Sequence, residues 1–108
     1  MNGLNPSAHR AVRSSFRDVS KGVPAPGTHD LLARLSQVES RSMHGQLPIV
    51  WDRAEDFLVF DLAGNKFLDF TSTIFVANVG HSNKVVSAAI IRVLERGLIS
   101  SYAYANEE

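Results

Sequence analysis

The sequence predicts an α+β fold with an N-terminal helix, a small antiparallel β-meander of about three strands, and then a second helix. Two observations carry this prediction. Aliphatic residues recur at helical spacing in two separate stretches, one near residue 35 and one near residue 90. Between these stretches, two short runs rich in aromatic and aliphatic residues flank a tight turn at residues 61–65, as in a β-hairpin.

Residues 1–27 are predicted to form a flexible N-terminal arm, because they are polar and basic and contain Pro24, Pro26 and Gly27. Residues 28–108 are predicted to form the folded part. Thr28 is suited to cap the first helix, which is expected to run to about Ser42. Its apolar positions are Leu31, Leu32, Leu35 and Val38.

Pro48 bars helix and begins an extended segment over residues 49–52. The charged residues 53–56 are predicted to form a turn. Strands are then predicted at about 57–61 and 66–70, joined by a turn in which Gly64 supplies the positive φ that a hairpin requires.

A third strand is predicted near residues 74–77. Alternation along this strand would send Ile74 and Val76 to one face and Phe75 and Ala77 to the other.

The second helix is predicted to begin at an Asn83 cap and to end near Gly97. Lys84 lies in its first turn, where a positive charge is slightly unfavourable against the helix dipole. The apolar stripe of this helix consists of Val86, Ala89, Ile90, Val93 and Leu94.

Composition excludes several classes of function. Eleven lysines and arginines balance eleven aspartates and glutamates, so no net charge attracts nucleic acid or an anionic membrane. The chain has no cysteine, and no apolar run approaches the roughly 18 to 20 residues of a membrane span. A cytoplasmic protein is expected. Arg10, Arg13 and Arg17 are also compatible with a transit peptide, although a solvated arm is the favoured interpretation.

Few residues suggest chemistry by themselves. The four histidines are scattered and have no carboxylate at ligand spacing, so no metal site is expected. Gly64 precedes no helix, which favours a turn over a phosphate loop. Asp61 and Asp69 could serve as acid and base, but turn and strand-end carboxylates that accept backbone hydrogen bonds are the favoured interpretation. No catalytic triad is assembled.

His81 could have either of two roles. A Gly-His pair between a strand and a helix places an imidazole near a helix N-terminus, where the dipole disfavours the charged form. His81 could be a neutral hydrogen-bonding group near a ligand. Alternatively it ties the corner between strand and helix to neighbouring backbone, and this structural role is the favoured one.

The order of residues from Asp61 to His81 is more specific than any of these features. It runs Asp-x-x-Gly-Asn-x-Phe-Leu-Asp-Phe, then a short apolar segment, then Asn-x-Gly-His and a helix. This order resembles the N-terminal segment of class III aminotransferases, the fold-type I, pyridoxal-phosphate-dependent enzymes that include the acetylornithine, ornithine and 4-aminobutyrate aminotransferases. The resemblance covers roughly residues 28–108.

The resemblance implies that this segment is part of the small domain of a transaminase, which moves an amino group between an amine or amino acid and a keto acid. It also implies a homodimer or higher homo-oligomer and the cofactor pyridoxal 5'-phosphate, held by a large domain outside these residues. No catalytic, cofactor-binding or metal-binding residue is therefore assigned here, and the fragment alone is expected to be inactive. Ile74 and Phe75 are the candidate substrate-binding residues, because the family's segment before Asn-x-Gly-His lines the substrate entrance.

The chain departs from the family pattern in two places. Lys84 stands where the family usually has a proline, and Ser72 and Thr73 replace a glycine pair. Two alternatives to a transaminase remain open from sequence: a stand-alone binding or oligomerisation module, and an aminomutase, decarboxylase or racemase of the same family.

Overall fold

The computed structural model describes residues 11–98, 100, 104, 105 and 107, and its central element is a five-stranded antiparallel sheet. The helical elements include two α-helices, a short 3-10 helix and a left-handed turn. The predicted α+β class is confirmed. In chain order the elements are β1 (Val12–Arg13), β2 (Asp18–Val19), α1 (Thr28–Leu35), the 3-10 helix (Arg41–Met43), β3 (Trp51–Glu55), β4 (Leu58–Asp61), β5 (Lys66–Leu68), the left-handed turn (Ser72–Phe75) and α2 (Lys84–Glu95).

The predicted hairpin forms the middle of the sheet, whose strand order is β1-β2-β5-β4-β3. Strands β4 and β5 pair with Val59 opposite Phe67, and Gly64 adopts the expected positive φ of 77° in the turn between them. Alternate residues of β4 are buried, and Val59 is only 5% exposed. The side chains of this strand therefore alternate between a buried face and a less buried one.

Residues 11–27, the described part of the predicted flexible arm, contain two short strands. Strand β1 pairs with β2, and β2 pairs with β5 through Asp18 and Lys66. The arm also supplies most of the buried apolar residues, which are Val19, Val23, Ala25 and Val59. Without the arm, backbone N–H and C=O groups on the edge of β5 would have no partner. The short strand β2 pairs with part of that edge.

The first helix is shorter than predicted, because it ends at Leu35 and not near Ser42. Gly27, with φ of 83°, occupies the N-cap position, so Thr28 is the first helical residue and not the cap. Val38 is 83% exposed. With no packing for its later apolar positions, little stabilises the helix beyond its second turn.

Two further boundaries differ from the sequence prediction. Residues 53–55 continue strand β3, and β4 begins at Leu58 and not at residue 57. The turn between the two strands therefore consists of Asp56, with φ of 48°, and Phe57. Charged side chains are common on an exposed edge strand, which explains why residues 53–55 resembled a turn.

The predicted strand at 74–77 is a left-handed helical turn instead. Ser72, Thr73, Ile74 and Phe75 all have positive φ, between 46° and 67°. The backbone N–H of Phe75 donates to the carbonyl of Thr71, and that of Val76 donates to the carbonyl of Ser72. Both bonds lie within the segment, and the segment pairs with no strand. The predicted alternation of its side chains between two faces is therefore wrong.

The second helix has the predicted ends. The Asn83 side chain accepts hydrogen bonds from the backbone N–H groups of Val85 and Val86. At the other end, Gly97 has φ of 71°, and its N–H donates to the carbonyl of Leu94 while the N–H of Leu98 donates to that of Val93. This pair of bonds is a Schellman motif.

Much of the apolar surface is uncovered. Helix α2 contains no buried residue, and five of its aliphatic side chains are at least two-fifths exposed: Val85, Val86, Ile90, Ile91 and Leu94. The radius of gyration is 17.4 Å, against about 13 Å for a tightly packed domain of 100 residues. In the described part of the chain, no helix is both long and apolar enough to cross a membrane.

Candidate functional site

The Asp61-x-x-Gly64-Asn65 part of the motif forms a buried polar cluster at the hairpin turn. Asp61 and Asn65 are each 1% exposed. One carboxylate oxygen of Asp61 accepts from the backbone N–H groups of Ala63 (2.9 Å) and Asn65 (2.8 Å), and the other accepts from the Asn65 side-chain amide (2.8 Å). Asp61 is thus the turn carboxylate that the sequence favoured.

The same cluster holds the N-terminal arm in place. The backbone N–H of Lys21 donates to Oδ1 of Asn65 at 2.8 Å, and the Lys21 ammonium donates to the carbonyl of Ala63. Lys66 also reaches the arm, where its ammonium donates to the carbonyl of Ser15 at 2.7 Å. The first half of the motif therefore stabilises the fold and presents no free chemical group.

The second half of the motif brings together Asp69, at the end of β5, and His81, before α2. Nε2 of His81 lies 2.7 Å from Oδ2 of Asp69, and the two side chains are 12% and 4% exposed. The other carboxylate oxygen of Asp69 accepts from the backbone N–H (2.9 Å) and the hydroxyl (2.7 Å) of Thr71. Asp69 therefore accepts a backbone hydrogen bond at a strand end, as the sequence favoured.

These contacts stabilise the ionised form of Asp69. Burial alone raises the pKa of the Asp69 carboxyl, but the hydrogen bonds from the Thr71 hydroxyl, His81 and the Thr71 N–H outweigh it, with a further contribution from the histidine charge. The net result lowers the pKa of Asp69 from 3.8 to about 2. The carboxylate is therefore a fixed negative charge at neutral pH, and it is poorly suited to act as a general acid.

The backbone of His81 is held as firmly as its ring. Its N–H donates to the carbonyl of Asp56 at 2.6 Å, and the N–H of Asp56 donates back at 3.0 Å. Gly80 makes this approach possible, since a Cβ there would lie 3.2 Å from the Cα of Asp56 and φ is 85°. The Trp51 ring packs edge-on against the imidazole at 5.6 Å. His81 ties the corner to neighbouring backbone, which is the favoured structural role.

An open concavity of about 420 Å³ lies beside this pair. It combines apolar surface with the hydroxyl of Ser72 and the amide of Asn78. Its lining residues are Asp56, Phe57, Asp69, Ser72, Ala77, Asn78, Val79, Gly80 and His81.

Ile74 and Phe75, the predicted substrate-binding residues, lie in the left-handed turn next to this concavity but do not line it. Their side chains are 80% and 79% exposed. The described residues therefore leave both available for contact, and their role in substrate binding stays a prediction.

Three contacts of the site were not anticipated from sequence: those of Asp69 with Thr71, of Asp69 with His81 and of Asp56 with His81. The Asp69-x-Thr71 spacing is a common local motif in which a side-chain carboxylate caps the residue two positions later, and it could have been recognised. The pairing of Asp56 with His81 had no signal, because the two residues are distant along the chain. Among the described residues, no three histidine, aspartate or glutamate side chains are grouped as metal ligands.

The sequence of this chain is similar to those of several known aminotransferases. No protein-family model matches the chain. It is 31% identical over 81 residues to the mitochondrial ornithine aminotransferase of Oryza sativa subsp. japonica, which covers 75% of this chain and 17% of that protein. It is 39% identical over 67 residues to the 4-aminobutyrate aminotransferase GabT of Escherichia coli K12, covering 62% of this chain and 16% of that protein. The chain is a distant homologue of the class III aminotransferases.

This aminotransferase homologue is also 37% identical over 62 residues to the acetylornithine aminotransferase of Methanocaldococcus jannaschii, covering 57% of the chain and 16% of that enzyme. The family resemblance stated from the motif is confirmed. The chain spans only about a sixth of the length of these relatives, within their N-terminal region.

Proposed function

We propose that this chain is the N-terminal, small-domain portion of a pyridoxal-phosphate-dependent transaminase that moves an amino group between an amine or amino acid and a keto acid. The observation that carries the proposal is homology to three differently named aminotransferases over the N-terminal part of each. A binding module, or another reaction type of the family, has no observation that favours it over transamination.

The described residues do not themselves fit the cofactor. Two of the three lysines use their ammonium groups to hold the arm, Lys21 on the carbonyl of Ala63 and Lys66 on that of Ser15. The third, Lys84, lies in the first turn of α2. We therefore assign the cofactor to residues outside this segment and derive no catalytic step from the residues within it.

The uncovered apolar surface supports the proposal that this segment is only part of a folded unit. Helix α2 and the segment after β5 expose aliphatic and aromatic side chains that a stable protein covers with further chain or with a second subunit. The proposal therefore includes assembly into a homodimer or higher homo-oligomer. A cytoplasmic location stays a prediction from sequence.

The first test compares the 108-residue chain with the product of the complete reading frame that contains it. After dialysis against cofactor-free buffer, the 108-residue chain is expected to show no visible absorption from bound pyridoxal phosphate and no transaminase activity. The complete product is expected to show both. Retention of the cofactor by the short chain, or its absence from the complete product, would contradict the proposal.

The second test concerns Ile74, which the left-handed turn presents at 80% exposure. In the complete product, Ile74→Ala should change the discrimination between long and short amino donors by about 1 to 3 kcal/mol, the effect of a small change in an apolar pocket. Val76→Ala is the matched control, because Val76 is 78% exposed on the same segment. Steady-state kcat/KM values for a series of donors measure the effect.

The stability of the same variants separates a substrate contact from a packing role. Replacing a buried isoleucine by alanine typically costs about 2 to 5 kcal/mol. We expect a smaller loss for Ile74→Ala. An unchanged donor profile together with a large fall in melting temperature would place Ile74 in a covered core and refute its assignment to the substrate entrance.

A further inference from the structure

The left-handed turn lies in a loop, residues 70–80, whose two ends are held on the turn between β3 and β4. At its start, the backbone N–H of Asp69 donates to the carbonyl of Phe57 at 2.9 Å. At its end, the backbone of His81 exchanges two hydrogen bonds with that of Asp56. The hydrogen bond between the Asp69 carboxylate and Nε2 of His81 joins these two ends directly at 2.7 Å. A largely buried pair of side chains therefore closes the base of the loop.

Side-chain packing contributes little to the position of this 70–80 loop. Its large apolar side chains are all at least three-fifths exposed: Phe70, Ile74, Phe75, Val76 and Val79. In addition, the left-handed conformation of residues 72–75 is unfavourable for residues that carry a side chain, and it persists only where surrounding groups hold it. Among the described residues, the position of the loop therefore depends on hydrogen bonds.

A path of hydrogen bonds leads from the His81 ring to the residue after Ile74. One carboxylate oxygen of Asp69 pairs with Nε2 of His81, and the other accepts from the N–H and the hydroxyl of Thr71. The carbonyl of Thr71 in turn accepts from the N–H of Phe75 at 3.0 Å. The backbone beside Ile74 is therefore fixed by bonds that begin at His81.

The end of the loop leads to the same place by a second path. The N–H of Gly80, which precedes His81, donates to the carbonyl of Ala77 at 3.0 Å. The N–H of Ala77 donates to the carbonyl of Ser72 at 2.9 Å. Both paths meet in the left-handed turn that carries Ile74, so a change at the base of the loop displaces this side chain.

We propose that His81 is a positioning residue for substrate discrimination. Through its bond to Asp69 it fixes the left-handed turn, and the turn holds Ile74 where its side chain meets the substrate. A displacement of about 1 Å at a substrate-positioning group can change a rate about a hundredfold. This inference rests on the proposed function and deepens it, because it adds a specificity residue that acts only through Ile74.

The test uses a matched pair of variants, H81Q and H81N, in the complete product. An ionised carboxylate only accepts hydrogen bonds, so the partner of Asp69 must donate. The glutamine amide reaches the place of Nε2 and supplies an N–H, whereas the asparagine amide is one methylene group too short. H81F is a second variant without a donor, because it keeps a ring that has no polar atom. V59A is the control for general destabilisation, because Val59 is buried in β4, outside the loop.

Discrimination is measured as the ratio of kcat/KM for a long amino donor to that for a short one. H81N and H81F should shift this ratio about tenfold in the same direction as I74A, which is the scale of a methylene-sized change in an apolar pocket. H81Q and V59A should keep the wild-type ratio within about twofold, and I74A/H81N should lie within about twofold of I74A. The double variant adds nothing, because the position of a side chain that is already truncated no longer matters.

Wild-type ratios in both H81N and H81F would overturn the inference, as would an equal shift in H81Q or in V59A. Independent effects of I74A and H81N, which multiply in the double variant, would show that His81 acts without Ile74 and would also overturn it. In each of these results the complete product still transaminates, so the proposed function stands. An inactive complete product would instead overturn the proposed function, and this inference with it.

Discussion

Exchanging Asp61 and Asn65 for one another (D61N/N65D) should leave the hairpin folded, whereas each single substitution should destabilise it strongly. In N65D alone, a second buried carboxylate faces that of Asp61, in place of the amide that donates to it at 2.8 Å. We expect it to cost about 3 to 5 kcal/mol at neutral pH, as an uncompensated buried charge does. D61N alone turns an amide donor toward the Asn65 amide and should cost about 1 to 3 kcal/mol.

The double variant restores the hydrogen bonds between positions 61 and 65, and loses only the long bond from the Asn65 amide to the carbonyl of Gly22 (3.4 Å). An amide at position 61 still accepts from the N–H groups of Ala63 and residue 65, and its NH₂ now donates to the new carboxylate. That carboxylate in turn accepts from the N–H of Lys21, as Asn65 Oδ1 does. The double variant should therefore lie within about 1 to 2 kcal/mol of the wild type, which gives a large coupling energy.

Thermal unfolding followed by circular dichroism measures these differences, since 1 kcal/mol shifts Tm by roughly 4 to 8 °C in a domain of 60 to 100 residues. Asp52→Asn and Asn78→Asp are matched controls, because they make the same chemical changes at exposed positions, where shifts within about 0.5 kcal/mol are usual. Additive single effects, with a double variant less stable than either, would contradict the assigned hydrogen-bond pattern.

Acid should weaken the protein through Asp69 in a defined pH range. The pKa of this carboxyl is lowered from 3.8 to about 2 in the folded protein. The unfolded chain therefore binds the proton more readily than the folded protein does. The resulting stabilisation is complete above about pH 4 and is lost as the pH falls toward 2. It amounts to about 2 kcal/mol, because Asp69 is almost completely buried against Thr71 and His81.

Asp69→Asn isolates this contribution. The variant should be less stable than the wild type by about 2 kcal/mol at pH 7, and the difference should disappear near pH 2. Urea unfolding at each pH measures the free energy, and a ¹³C NMR titration of the side-chain carboxyl carbons reports the pKa directly. Asp52→Asn is the control, since Asp52 is exposed and makes no hydrogen bond or ion pair among the described residues. Titration of Asp69 near pH 4 would refute the assigned hydrogen bonds to this carboxylate.

The local order of the sequence determined a large part of this protein. Gly64 fixed the hairpin turn, and Asn83 and Gly97 fixed the ends of α2. In each case the interacting groups lie within a few residues of one another, so spacing alone specifies them. The order of residues from Asp61 to His81 also identified the family, because this one motif spans the hairpin turn, strand β5 and the corner before α2.

Only the tertiary structure decided the remaining features. The pairing of the arm with β5, the contact of Asp56 with His81 and the hydrogen bond between Asp69 and His81 join residues between 12 and 48 positions apart. The apolar run at 74–77 had the composition of a strand, but with no neighbouring strand to pair with, local hydrogen bonds and the Asp69–Thr71 cap gave a left-handed turn. A strand depends on a partner that sequence spacing does not reveal, because β-structure is stabilised by contacts between distant segments.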